Sequence, residues 1–96
     1  MARNNANIKV GENAWVELTN ADATSITFQN KGPGTVEVKA VVGAAAPTNF
    51  DGALRYGSGA GEIGVDVAAL NKGAAVNRVF ARCSEGGFCN VSVSHA

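Results

Sequence analysis

A chain of 96 residues holds one small domain and leaves no room for a second core. Its 8 basic and 8 acidic side chains cancel and lie scattered, which argues against a nucleic-acid footprint, and no apolar run approaches a bilayer-spanning helix. Charged residues make up only 17% of the chain and much of its 46% apolar content is alanine, so its surface is expected to be covered largely by protein partners.

Met1 to Asn7 has no apolar signal core, so synthesis in a cytoplasm is expected. Ile8-Lys9-Val10 alternates briefly before Gly11. Residues 1–11 are otherwise too polar to carry core and are predicted to form an N-terminal arm, with Arg3 and Ile8 as candidate interface residues. Residues 12–96 are predicted to form a single β domain. In Ala14 to Thr19, Val16 and Leu18 share one face while Trp15, Glu17 and Thr19 share the other. Asn20-Ala21-Asp22 reads as a turn.

Thr24 to Gln29 places Ile26 and Phe28 inward, and Thr35 to Val42 does the same with Val36, Val38 and Ala40. Between them, Asn30-Lys31-Gly32-Pro33-Gly34 carries turn chemistry, because proline lacks a donor and glycine tolerates positive φ. Pairing Phe28 with Val36 and Ile26 with Val38 predicts an antiparallel hairpin. Gly43 to Gly52 is a small-residue loop around Pro47 and Phe50, followed by a short strand at Ala53 to Tyr56.

Gly57 to Gly61 reads as another loop, Ile63 to Val67 as a strand, and Ala68 to Gly73 as one helical turn ending at Gly73. Val79 to Cys83 and Cys89 to Ser94 flank Ser84 to Phe88, which predicts a second hairpin. Cys83 would then lie opposite Cys89, with Ala81 opposite Val91 and Val79 opposite Val93. About seven short strands in all predict a small antiparallel β-sandwich or barrel.

No catalytic, cofactor or metal site is expected. Gly59 to Gly64 spells G-x-G-x-x-G, but strand-like residues follow it, where a dinucleotide site needs a helix N-terminus. Cys83, Cys89 and His95 are the only soft ligands, too few for structural zinc. His95 near a frayed end is a thin basis for activating a thiol. The two cysteines are read either as buried thiols or as a cross-strand disulfide. Trp15 either covers a sheet edge or anchors an interface, since tryptophan is enriched among hot-spot residues. Phe50, Arg55 and Tyr56 pose the same question.

The run WVELTNADATSITFQN from Trp15 to Asn30 belongs to a wider pattern. With GTVEVK from Gly34 to Lys39, the Pro47–Thr48 loop, and VSVSHA from Val91 to Ala96, it resembles small tailed-bacteriophage virion proteins of the decoration (cement) type. The resemblance runs loosely over residues 12–96. It implies a small β domain on the outside of an icosahedral head, often a homotrimer, straddling joints between major capsid protein subunits. It carries over no catalytic residue. A head-fibre base or tail component is the neighbouring reading. A carbohydrate-binding β-sandwich, with Trp15 or Tyr56 stacking on sugar rings, is the reading from another class.

Overall fold

The computed structural model describes residues 3–71 and 75–95 of the chain, except for the side chains of Arg3 and Asn4. It is all-β and antiparallel: β1 (Arg3–Gly11), β2 (Val16–Glu17), β3 (Ser25–Val41), β4 (Leu54–Tyr56), β5 (Gly61–Asp66) and β6 (Arg78–His95). One 3₁₀ turn, Val67–Asn71, follows β5. The helical turn expected here is thus found, while its proposed end at Gly73 lies outside the described residues.

Two strands dominate. β3 runs for 17 residues and β6 for 18, and they pair antiparallel along nearly their whole length. The two predicted hairpins are therefore not formed. Phe28 pairs with Val93 and Val36 with Cys83, so the halves of each supposed hairpin are successive stretches of one strand. The turn-like residues bend both strands at one place: Gly32-Pro33-Gly34 in β3 and Glu85-Gly86-Gly87 in β6. From Asn30↔Val91 to Val36↔Cys83, β6 uses more residues than β3, and the glycine-rich stretch takes up the surplus as a bulge.

The bend divides the sheet into two layers. In the first, β1 flanks the C-terminal half of β6 and β5 flanks the N-terminal half of β3. In the second, β2 flanks the N-terminal half of β6 and β4 flanks the C-terminal half of β3. Exchanging β1-β2-β3 for β4-β5-β6 swaps one layer for the other, an internal two-fold topology.

The inward alternation holds throughout. Ile26, Phe28, Val36, Val38 and Ala40 of β3 and Val79, Ala81, Cys83, Cys89, Val91 and Val93 of β6 are all buried. Branched valines suit this role, because they are stiff and fit a pleated surface. The layers meet where Phe28 of the first packs edge-on against Tyr56 of the second, ring centroids 5.1 Å apart.

Residues 3–11 differ from the predicted arm. They form β1 against β6, with Val10 fully buried and Ala6 and Ile8 packed on the core. The polar Asn5, Asn7 and Lys9 face outward, as they must on an edge strand covered on one side only.

Close approach at the bend requires glycine. A Cβ on Gly34 would collide with the Glu85 carbonyl oxygen and lie 2.9 Å from that of Phe88 and 3.0 Å from the Cys83 sulfur. Beside it sits Asn30, fully buried. Its Nδ2 donates to the carbonyls of Gly34 at 2.8 Å and Tyr56 at 3.0 Å, and its Oδ1 accepts from the Gly32 N–H at 2.8 Å. One amide thus ties the bend of β3 to β4.

Cys83 and Cys89 are free thiols, both buried, with sulfurs 3.8 Å apart. They do lie close together, but across the bend of one strand, not as partners in a hairpin. Burial, followed by the contact with Cys83, pushes the Cys89 thiol from 9.0 up to about 11. Burial, followed by the Glu62 carboxylate, pushes Tyr56 from 10.0 up to about 12. The folded protein therefore keeps protons that the unfolded chain releases, so these groups favour folding fully below pH 9 and lose that effect as pH rises toward 11 and 12. The urea midpoint is expected to hold up to about pH 9 and fall above it, and Cys89→Ala should flatten the first part of that fall. A wild-type midpoint unchanged at pH 11 would refute this.

Candidate functional site

The outer face of the second layer gathers three residues singled out from sequence: Trp15, Phe50 and Arg55. Glu37 pairs with Arg55 on one side and Arg82 on the other, giving a row of alternating charge across three strands. Val16 of β2 pairs with Ala81, which sets Trp15 beside Arg82 at the end of the row. The Phe50 ring lies 5.0 Å from that of Trp15, and the Arg82 guanidinium carbon lies 5.1 Å from the Phe50 ring, a cation–π arrangement.

Phe50 reaches this place because residues 42–53 fold back over the layer. Lys39 Nζ donates to Asn49 Oδ1 at 3.0 Å, and the Ala53 N–H donates to the Phe50 carbonyl, closing a tight turn. Phe80, on the outward side of β6, is buried outside the main core cluster. A small aromatic cluster thus sits on the outside of the sheet, with Phe50 still 38% exposed.

The polar groups of this face are largely spent on one another. Arg78 reaches Glu17 at 2.8 Å and Asp22 at 2.9 Å, Arg82 Nε donates to the Glu12 carbonyl at 2.7 Å, and Arg55 lies 3.4 Å from Glu37 and 3.5 Å from Glu85. Arg55 and Glu85 are well exposed, so that pair adds little stability. The Trp15 indole N–H is buried and has no hydrogen-bond partner among the described residues.

No family model, curated protein or solved structure matches the chain.

The remaining predicted interface residues fall elsewhere. Ile8 packs on the core from β1, and Tyr56 is 8% exposed, its ring against Phe28 and its hydroxyl donating to Glu62 at 3.0 Å. Both hold the fold from within because each lies at an inward position of its strand. Arg3 stands in β1, and its side chain lies outside those described. Tyr56 is buried and so presents no ring face for sugar stacking, while the half-buried Trp15 ring is tilted against Phe50.

His95 is not at a frayed end: it is a buried residue of β6 whose Nε2 accepts from the Asn20 N–H at 3.2 Å. Six positions of extended strand put it about 20 Å from Cys89, so no thiol–imidazole pair is assembled. Gly59 to Gly64 leads into and through β5, and Gly61 presses on the Phe28 carbonyl; the helix N-terminus that a phosphate cradle needs does not follow. Among the described residues no group of three or more His, Cys, Asp or Glu could hold a metal ion, and no helix is long and apolar enough to cross a membrane.

Arg82 and Glu37, which complete the charged row, were not singled out from sequence. Their only sequence signal is the outward phase of the alternation in β6 and β3.

Proposed function

We propose that the protein is a virion structural protein of a tailed bacteriophage, a decoration protein that docks on the outer surface of the major capsid protein lattice and clamps its joints. It does so as a homo-oligomer, with a trimer favoured. The observation that carries this reading is the Trp15–Phe50–Arg82 cluster with its flanking Arg55–Glu37 row. Tryptophan and arginine are the residue types that dominate protein interfaces, here set on a sheet face and not in a cleft. Docking that shifts Phe50 would also offer the Trp15 indole N–H a carbonyl to bond, which the free protein lacks. The resemblance of Trp15–Asn30 and Val91–Ala96 to decoration proteins supports the same assignment.

A clamp that binds only the finished lattice stabilises it by mass action without being needed to build it. Heads lacking the protein are expected to form with normal geometry but to release DNA at lower temperature. Adding the purified protein should restore heat resistance. The Trp15→Ala/Phe50→Ala variant, with an unchanged circular dichroism spectrum, should bind heads at least about 30-fold more weakly, the loss expected of a hot-spot pair. Heads that fail to assemble without the protein, or that are equally heat-resistant, would overturn the clamp in favour of a fibre-base or tail role.

A further inference from the structure

The outer face of the first layer is chemically unlike the second. Register places Gln29, Ser92 and Asn7 in one row across β3, β6 and β1, and puts Lys31 beside Asn90 and Lys9 in the next. The rows stand about 6.6 Å apart, two residues of extended strand, so six side chains present a plate roughly 10 Å across. None of them is a carboxylate.

Hydrogen-bonding capacity here is not spent within the protein. The side chains of Asn7, Lys31, Asn90 and Ser92 make no hydrogen bond to any described residue, whereas the arginines of the second layer's outer face are paired. Gln29 uses only its amide N–H, toward the Gly59 carbonyl at 3.0 Å. The surface is indented at this place. A depression of about 280 Å³ is bounded by Asn7, Lys31 and Asn90, and a neighbouring cleft of about 320 Å³ runs past Gln29 and Ser92 to β5. Glu62 lines the far rim of that cleft, where its carboxylate is engaged by the Tyr56 hydroxyl.

At the other end, Phe88 follows Asn90 on the outward side of β6, and Lys9 Nζ lies 4.8 Å from its ring centroid. Two ammonium groups, one of them over an aromatic ring, therefore adjoin three amides and one hydroxyl.

We propose that this face binds an acidic oligosaccharide, a uronate-type glycan. Its carboxylates would pair with Lys31 and Lys9, and its hydroxyls would exchange donors and acceptors with Asn7, Asn90 and Ser92. The charge of the plate selects the acidic class, because two ammonium groups there have no carboxylate to neutralise them. The amides and the Ser92 hydroxyl select a polyol over a bare anion, because each can both donate and accept. The face is opposite the proposed docking face, so this inference stands or falls apart from that reading.

The test is an amide chemical-shift titration of the intact ¹⁵N-labelled protein with trigalacturonate, beside maltotriose, inorganic phosphate and a short oligothymidylate. Trigalacturonate at millimolar concentration is expected to shift the amides around Asn7, Lys31, Asn90 and Ser92 and to leave those around Trp15 in place. Lys31→Ala and Asn90→Ala should each weaken the effect about tenfold while keeping a dispersed spectrum, and Asn13→Ala, in the loop after β1, should not change it. Absence of shifts, shifts on the other face, or equal binding of maltotriose overturns the proposal. Equal shifts with phosphate reduce the face to an anion site, and tighter binding of oligothymidylate gives it to nucleic acid; either result also overturns it.

Discussion

Asn30→Ala is expected to cost roughly 3–5 kcal/mol, because it removes one side chain and strands three main-chain groups. The carbonyls of Gly34 in the bend and Tyr56 in β4 lose their donor, and the Gly32 N–H loses its acceptor, all in buried surroundings. A buried polar group left without a partner costs about 1–3 kcal/mol, more than the net value of the bond it made. A domain of this size is stable by only about 5–15 kcal/mol, so the loss is a large share of the total. Urea unfolding followed by circular dichroism measures it. Asn30→Asp supplies a sharper check. The aspartate can donate only when protonated, so its folded-state pKa is raised above the ordinary carboxylate value. The variant should be most stable below that ordinary value and lose stability as pH rises through the raised one, a dependence absent from Asn30→Ala. A loss below about 1 kcal/mol in the alanine variant would mean that the amide is not the tie across the bend.

Gly34→Ala should do at least as much damage with a single carbon. The new Cβ would run into the main-chain oxygens of Glu85 and Phe88 and into the Cys83 sulfur, and main-chain atoms held in a sheet have no rotamer to escape into. Relief requires β3 and β6 to separate at the bend, which opens the contact on which both layers depend. We expect a loss of roughly 4 kcal/mol or more, a large share of the stability of a domain this size. Gly87→Ala meets no atom within 4 Å, although its positive φ adds strain of about 1 kcal/mol, and serves as the milder comparison. If the two variants melt together, the packing at Gly34 is not what limits stability.

The alternation in the sequence identified which side of each strand is buried, from Ile26 through Ala40 and from Val79 through Val93, because period-two patterning reports the face directly. It did not report the partner. Gly32-Pro33-Gly34 and Gly86-Gly87 carry the residues of a hairpin turn, but those residues serve a sharp bend in a continuous strand equally well. The discriminating signal is non-local. The inward positions of the two segments match at a constant offset, Ile26 with Val79, Phe28 with Ala81, Val38 with Val91 and Ala40 with Val93, each series broken by glycine in the middle. Two strands that bend alike can remain paired through the bend.

Residues 3–11 misled for a related reason. An edge strand covered on one side shows its polar half to a reader who is looking for core, and Ala6, Ile8 and Val10 are a sparse inner half. Of the candidate site, Trp15, Phe50 and Arg55 were legible as residue types suited to an interface. Their meeting on one face was not, because Phe50 arrives on an irregular segment whose path follows no period. Arg82 and Glu37 were hidden among other outward charges for the same reason.

The sharing of β3 and β6 between layers also determines how the molecule bears load. In a sandwich of separate sheets, a force drawing the sheets apart works only against side-chain packing, which yields over a short distance. Here the two layers are joined twice by continuous main chain at the bend, so the same force must straighten two covalent strands before the layers part. A pull applied at Arg3 and His95, which pair side by side, peels β1 from β6 one hydrogen-bonded step after another. The molecule is thus stiff across its layers and compliant at that corner, a directional strength built from the path of the backbone and not from the strength of any one contact.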